Sequence, residues 1–276
     1  MLEALRRQLS DGLFEKVAGP EREKHARRIH DAPGPRLFAD DRPIRHVHAD
    51  HAMFIGGLRA LLLQSLHPLA MAAVAQHSDY RTDPWGRLQR TSLFVGVTTY
   101  GSVEDAHEAI ERLARVHSFI HGTAPDGRPY RADDPHLLAW VHVAEVDSFL
   151  RCHRKYGEKP LDDYDGYVAD MAVIADAMGV PDPPRTVAAL DARLDSYRAE
   201  LKGTREAREA ARFLLLKAPL PMLAKGPYAI LAATAVASLP VWARIPLRLP
   251  YLPIAEATGV RFAGHALMRG LRWVTG

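Results

Sequence analysis

Apolar residues recur at three- and four-residue steps along almost the whole chain, the period of a helix with one buried face. No alternating run bounded by turn residues is long enough to predict a sheet. The clearest stripe lies in SVEDAHEAIERLARVHSFIHG, where Ala106, Ile110, Leu113, His117 and Ile120 share one face. Glu104, Glu108, Glu111, Arg112 and Arg115 fall largely elsewhere. Three helix starts are marked by local chemistry. Asp83-Pro84 and Asp134-Pro135 each place a capping carboxylate before a first-turn proline, and Ser102 with Asp105 forms a capping box. Gly122 ends the helix that Ser102 opens, and GTAPDGRPYRAD beyond it reads as a turn-rich loop. The apolar FIGGLRALLLQSL is interrupted at His67-Pro68 and resumes as LAMAAVAQHS. That predicts a break, with His67 capping a helix end. Further helices are expected near 163–178, 186–217, 226–243 and 257–274, with the proline-rich RIPLRLPYLPI between the last two. Residues 20–50 read as irregular. The pattern predicts an all-α fold, a single multi-helix domain over 51–276 preceded by an N-terminal helix and an irregular lead-in over 1–50.

Composition narrows the function classes. The chain has 276 residues, 47% of them apolar, enough for a sizeable core. A net charge of +3 on a mixed set of charges argues against nucleic acid, which selects clustered basic patches. Cys152 is the one cysteine, so neither an internal disulfide nor a multi-cysteine zinc site can form. The first residues, MLEALRRQLSDGLFEKV, form an amphipathic pattern without the apolar core of a secretion signal, so a cytoplasmic protein is expected. Residues 226–243 carry no charge but contain Pro227 and Pro240. A buried or peripheral helix is expected there, with membrane contact the lesser alternative.

Few residues stand out for chemistry. His117 sits on the apolar stripe, where a neutral imidazole needs a partner: a backbone carbonyl in the plain reading, a metal in the functional one. Arg87, Arg90 and Thr91 lie together on one helix, a solvated basic turn or a carboxylate-binding set. His142 shares a face with Leu138, Glu145 and Phe149, which allows an imidazole–carboxylate pair with Glu145. His46, His48 and His51 have chelating spacings in a polar segment, without a completed ligand pattern. Cys152 lies beside Arg151, His153 and Arg154, neighbours that would acidify a thiol. Phosphate-binding glycine loops, nucleophile elbows and HExxH are missing.

The succession GGLRALLLQSLHPLAMAAVAQHS, DPWGRLQRTSLF, GSVEDA, RVHSFIHG and GRPYRADDPHLLAWVH resembles the catalytic domain shared by MpaB-type oxygenases and latex-clearing proteins. The resemblance is strongest over residues 50–150 and weaker to about 265. It implies an all-helical domain enclosing a haem b pocket, and cleavage of isoprenoid double bonds with dioxygen. By this resemblance His117 is the axial iron ligand, with His121 standing where an arginine is usual. Arg87 and Thr91 match the distal arginine and threonine, and His142 matches a supporting histidine. Arg90 replaces a lysine able to reach the iron, and its guanidinium is a poor ligand. One departure stands out. The glutamate that latex-clearing proteins carry upstream of the arginine has no counterpart before Asp79.

The resemblance therefore implies a haem b-dependent oxygenase or oxidase acting on a hydrophobic or prenylated small molecule, with dioxygen or peroxide. Leu61, Leu66, Phe94 and Trp140 are the expected apolar walls. Two other readings stay open: a non-catalytic haem or gas-binding protein, and a haem-free helical lipid-handling or interaction protein. Oligomeric state is not specified by the sequence.

Overall fold

A computed structural model describes residues 2–275. In chain order the elements are α1 Leu2–Ala18, α2 Arg22–Asp31, α3 Pro43–Ala49, α4 Ala52–Gln64, α5 Pro68–His77, α6 Pro84–Tyr100 and α7 Val103–Ser118. A hairpin of β1 His121–Thr123 and β2 Pro129–Arg131 follows, and then α8 Pro135–Tyr156, α9 Asp165–Ala177, α10 Val187–Ser196 and α11 Arg205–Arg212. The chain ends with α12 Met222–Ser238, α13 Val241–Leu247, α14 Pro253–Ala255 and α15 Arg261–Thr275. One π-helical turn, Phe213–Lys217, extends α11, and another, Glu256–Val260, joins α14 to α15. The all-α architecture expected from the periodicity is present.

The marked helix starts are used as the sequence indicates. Asp83 accepts the Gly86 N–H at 2.9 Å, Asp134 accepts that of His136 at 2.8 Å, and Ser102 accepts that of Asp105 at 3.1 Å. His67 caps α5 through Nδ1, and α4 and α5 meet at a 106° bend. Four expectations need correction. Residues 20–50 contain α2 and α3. Helix α2 buries no residue, so it has no apolar stripe to detect; it is held by packing on α6 and by Arg28, which binds Asp105 at 2.8 Å and also Glu108. The turn-rich loop contains the small β hairpin, whose Tyr130 hydroxyl is bonded to His77 and Gln76 of α5. The single helix expected over 186–217 is broken before α11. There Gly203 lies so close to α13 that a Cβ would sit 1.9 Å from the Pro246 carbonyl oxygen. The 226–243 helix begins earlier, at Met222, and ends at Ser238, where Pro240 opens α13 at a 118° bend. The amphipathic face expected for α1 rests on leucine side chains that lie outside the described residues.

At the centre, α4 packs along α8. Gly56 permits the close approach, since a Cβ there would meet Phe149 Cδ1 at 2.6 Å. Trp140 Nε1 donates to the Gln64 carbonyl, and Gln64 Nε2 donates back to that of Val141. Arg59, 3% exposed, donates to Ser148 and to the Ser238 carbonyl and faces Asp147 at 2.7 Å without an aligned N–H. Around this pair α9 and α10 pack on α8, and α12 and α15 close the other side of α4. Helices α6 and α7 form an antiparallel hairpin turning at Gly101. They pack on each other and on α1, α2, α3 and α9, but neither lies along α8.

Candidate functional site

The site is built at the open end of the α6–α7 hairpin. Arg87 lies fourteen residues before Gly101 and His117 sixteen after it, which places both about 20–25 Å from the turn at 1.5 Å per residue. Arg87 and Phe94 share a face of α6, as do Leu113 and His117 on α7. Leu61 of α4 and Leu138 and Val141 of α8 are further apolar side chains that the core leaves only partly buried. Arg87, Phe94, Leu113 and His117 are likewise partly exposed. Leu66 and Trp140, expected as further walls, are fully buried, Trp140 against His67 and Tyr197.

Arg87 turns inward. Its guanidinium has no hydrogen bond or ion pair among the described residues, and burial lowers its pKa against an opposing effect from Tyr80. A desolvated, unpaired guanidinium is costly and calls for an anionic partner. Its two sequence neighbours behave differently. Arg90 is exposed and faces Asp83 at 3.4 Å, and exposed Thr91 donates its hydroxyl to the Arg87 carbonyl at 3.0 Å.

His117 is the other unpartnered polar group. Its Nδ1 is buried with no hydrogen-bond partner, and no partner meets Nε2 among the described residues. Burial depresses its pKa, with Asp133 opposing, so the ring is neutral near pH 7 and keeps a lone pair. Neither the carbonyl bond of the plain reading nor any other internal contact satisfies it. His121, in β1, is exposed.

His142 and Glu145 share a face of α8 but do not pair. His142 Nε2 is buried without a partner, and its pKa falls to about 4 by burial, with Asp176 and Arg193 the nearest charges. Glu145 has no hydrogen bond or ion pair among the described residues, and burial pushes its carboxyl up to about 7. Beside it Tyr167, from α9, reaches His48 Nε2 at 3.3 Å, and His48 Nδ1 meets the Thr99 hydroxyl at 2.8 Å. The sequence offered Glu145 only as a helper of His142; the carboxyl is partly exposed yet strongly desolvated, and no described side chain pairs with it.

That isolation has a pH signature. The Glu145 carboxyl ordinarily titrates at 4.5 and here at about 7. The folded chain therefore keeps a proton that the unfolded chain releases, and this contribution to stability is full below 4.5 and lost as pH rises through 7. Glu145→Gln is expected to be more stable than the parent at about pH 8, by up to roughly 3 kcal/mol, and equal at about pH 4. Thermal melts across pH check this, and coincident melts of the two proteins at the alkaline end would contradict an enclosed carboxyl.

Other candidates resolve differently. His46, His48 and His51 do not converge: His48 joins Thr99 and Tyr167, and His51 meets the Thr275 hydroxyl at 2.7 Å. The donors that do lie within metal-binding reach of one another are His67, His136 and Glu200, whose ligand atoms fall within 4.8 Å. Two imidazoles and a carboxylate suit a divalent ion. However, His67 Nδ1 accepts the Ala70 N–H, which leaves its proton on Nε2 to donate to Glu200, and His136 also bonds Glu200 at 2.9 Å. Hydrogen bonds alone thus satisfy that cluster. Cys152 is fully buried, and burial raises its thiol to about 12, the opposite of the acidified thiol its basic neighbours suggested.

The family model described as "ER-bound oxygenase mpaB/B'/Rubber oxygenase, catalytic domain" matches residues 45–273. No curated protein and no solved structure matches the chain. That match covers α4 to α8, with the hairpin that carries Arg87 and His117, and runs on into α15. The chain belongs to the MpaB and rubber-oxygenase catalytic-domain family.

Proposed function

We propose that the α6–α7 hairpin and α8 hold haem b between them, and that the protein is a haem b-dependent oxygenase acting on a hydrophobic or prenylated small molecule. The observation that carries this reading is His117, an inward, neutral imidazole with no internal partner. Across the hairpin stands Arg87, an inward guanidinium with no anion. A haem answers both needs at once, since its iron takes an imidazole nitrogen and its propionates take a guanidinium. The partly exposed Leu61, Phe94, Leu138 and Val141 supply apolar surface suited to a macrocycle and to an apolar substrate.

In this reading His117 would ligate the haem iron, Arg87 would bind a propionate or orient a bound polar group, and Thr91 steadies the α6 turn that carries Arg87. His142, buried and neutral, supports the α8 wall. Arg90 is exposed and faces Asp83, and its guanidinium would not be expected to ligate the iron. Haem supplies the activation of dioxygen or peroxide. Glu145 is a carboxyl able to hold or release a proton near neutrality, in a chain that lacks the upstream glutamate.

The test is an absorption spectrum of protein purified from cells supplied with haem. A Soret band at about one haem per chain is the expected result; colourless protein after adequate supply would favour the haem-free reading. The missing upstream glutamate is the observation that favours a second reading, haem binding without turnover. Inertness of the haem protein toward both dioxygen and peroxide would select it.

A further inference from the structure

Charge divides unevenly along the chain. From Ala210 to Gly276 there are eight Lys and Arg residues and one carboxylate, Glu256, a balance of +7 in a chain whose total is +3. The same region turns apolar side chains outward. Ile245, Tyr251, Leu252, Ile254 and Phe262 are 71%, 53%, 59%, 82% and 70% exposed. Scattered exposed apolar residues need no explanation, but a concentrated and constrained set does.

These side chains are held in place. Arg244, only 4% exposed, meets Glu256 at 2.7 Å and donates to the carbonyls of Ala237 and Leu239. The Leu252 N–H donates to Glu256 at 2.9 Å, and the Arg244 guanidinium lies against the Tyr251 ring. A buried ion pair is costly to desolvate, and this one fixes the segment between α13 and α14 so that its apolar tips face outward. Arg248 and Arg261, both exposed, flank the segment and form no ion pair among the described residues. The one nearby carboxylate is already taken by Arg244.

We propose that this surface docks on an anionic lipid bilayer, with Tyr251, Leu252 and Ile254 entering the headgroup boundary and Arg248 and Arg261 meeting lipid phosphates. Charge decides the occupant. A second copy of the chain, paired symmetrically through this face, would set uncompensated arginines against one another. The docking proposed is peripheral; no single described helix is long and apolar enough to cross a membrane, although two bent pairs, α4–α5 and α12–α13, have the length and composition together. The proposal does not depend on haem.

The experiment is co-sedimentation of the full chain with phosphatidylcholine vesicles, with and without phosphatidylserine, at low and raised salt. Binding is expected to need phosphatidylserine and to weaken with salt. The doubly substituted Leu252→Glu/Ile254→Glu protein should bind at least about tenfold more weakly, with an unchanged circular dichroism spectrum because both positions are exposed. Arg248→Ser/Arg261→Ser should weaken binding to the phosphatidylserine vesicles and reduce its dependence on salt. Failure to bind phosphatidylserine vesicles, or binding unchanged by the glutamate substitutions, overturns the proposal. A concentration-dependent dimer in vesicle-free ultracentrifugation, dissolved by those substitutions, would also overturn it and give the face to a second copy.

Discussion

Replacing His117 by alanine is expected to leave a folded protein that no longer retains haem at about one per chain, with affinity falling by at least the roughly tenfold that loss of even a supporting residue costs a metal site. The position allows a clean test. His117 is in the last turn of α7, partly exposed, and its side chain makes no hydrogen bond among the described residues. Alanine is the best helix former, so the helix itself should be undisturbed. Removing an unpartnered buried nitrogen should, if anything, relieve a desolvation cost in the haem-free protein. Loss of the Soret band with a melt equal to that of the haem-free parent is therefore the signature of a ligand, whereas a melt below that of the haem-free parent would point to a packing role. His121→Ala, at an exposed position four residues on, serves as the control and should keep its haem. If His117→Ala keeps a full Soret band, another group holds the iron and the site assignment falls.

The second large effect concerns the scaffold. Asp147→Ala should destabilise the protein by about 3–5 kcal/mol, because it strands the Arg59 guanidinium inside the α4–α8 interface. Both side chains are 3% exposed, and Asp147 also accepts from Arg151 at 3.0 Å. A drop in Tm on the order of 10 °C follows. The paired change Arg59→Met/Asp147→Leu should recover much of it, since apolar replacement removes the stranded charge along with its partner. An exposed pair such as Arg198–Asp195, at 3.5 Å, should show almost no change when broken. A single substitution as mild as that exposed one would mean that water reaches Arg59.

Helix periodicity carried most of the fold because most helices here bury one continuous apolar face. Where that condition fails, so does the reading. Helix α2 has no buried residue, α3 is seven residues long, and the α10–α11 break depends on Gly203 pressing against a carbonyl of α13, more than forty residues away. The site follows the same division. Arg87 and His117 could be named from the chain, the latter from its place on an apolar stripe and both from the family resemblance. That each lacks a partner could not, since a partner can come from any element. The His142–Glu145 pair that the three-residue step allows shows this: the two do not pair, and burial, with no hydrogen-bond partner at Nε2, governs His142. Cys152 shows it again. Basic neighbours in sequence point around a helix, not toward one another, and burial rules the thiol.

The amino-acid order alone determined the helical class, the capped starts of α6, α7 and α8, the break at His67-Pro68 and the family. These depend on interactions within a few residues of one another and on a pattern read in order. Tertiary structure alone decided which polar groups are stranded in the interior, which carboxyl holds its proton, and which apolar side chains are held out to solvent by the Arg244–Glu256 pair. The reason is physical: desolvation and hydrogen-bond satisfaction are properties of everything that surrounds an atom, and those surroundings come from segments far apart in the chain.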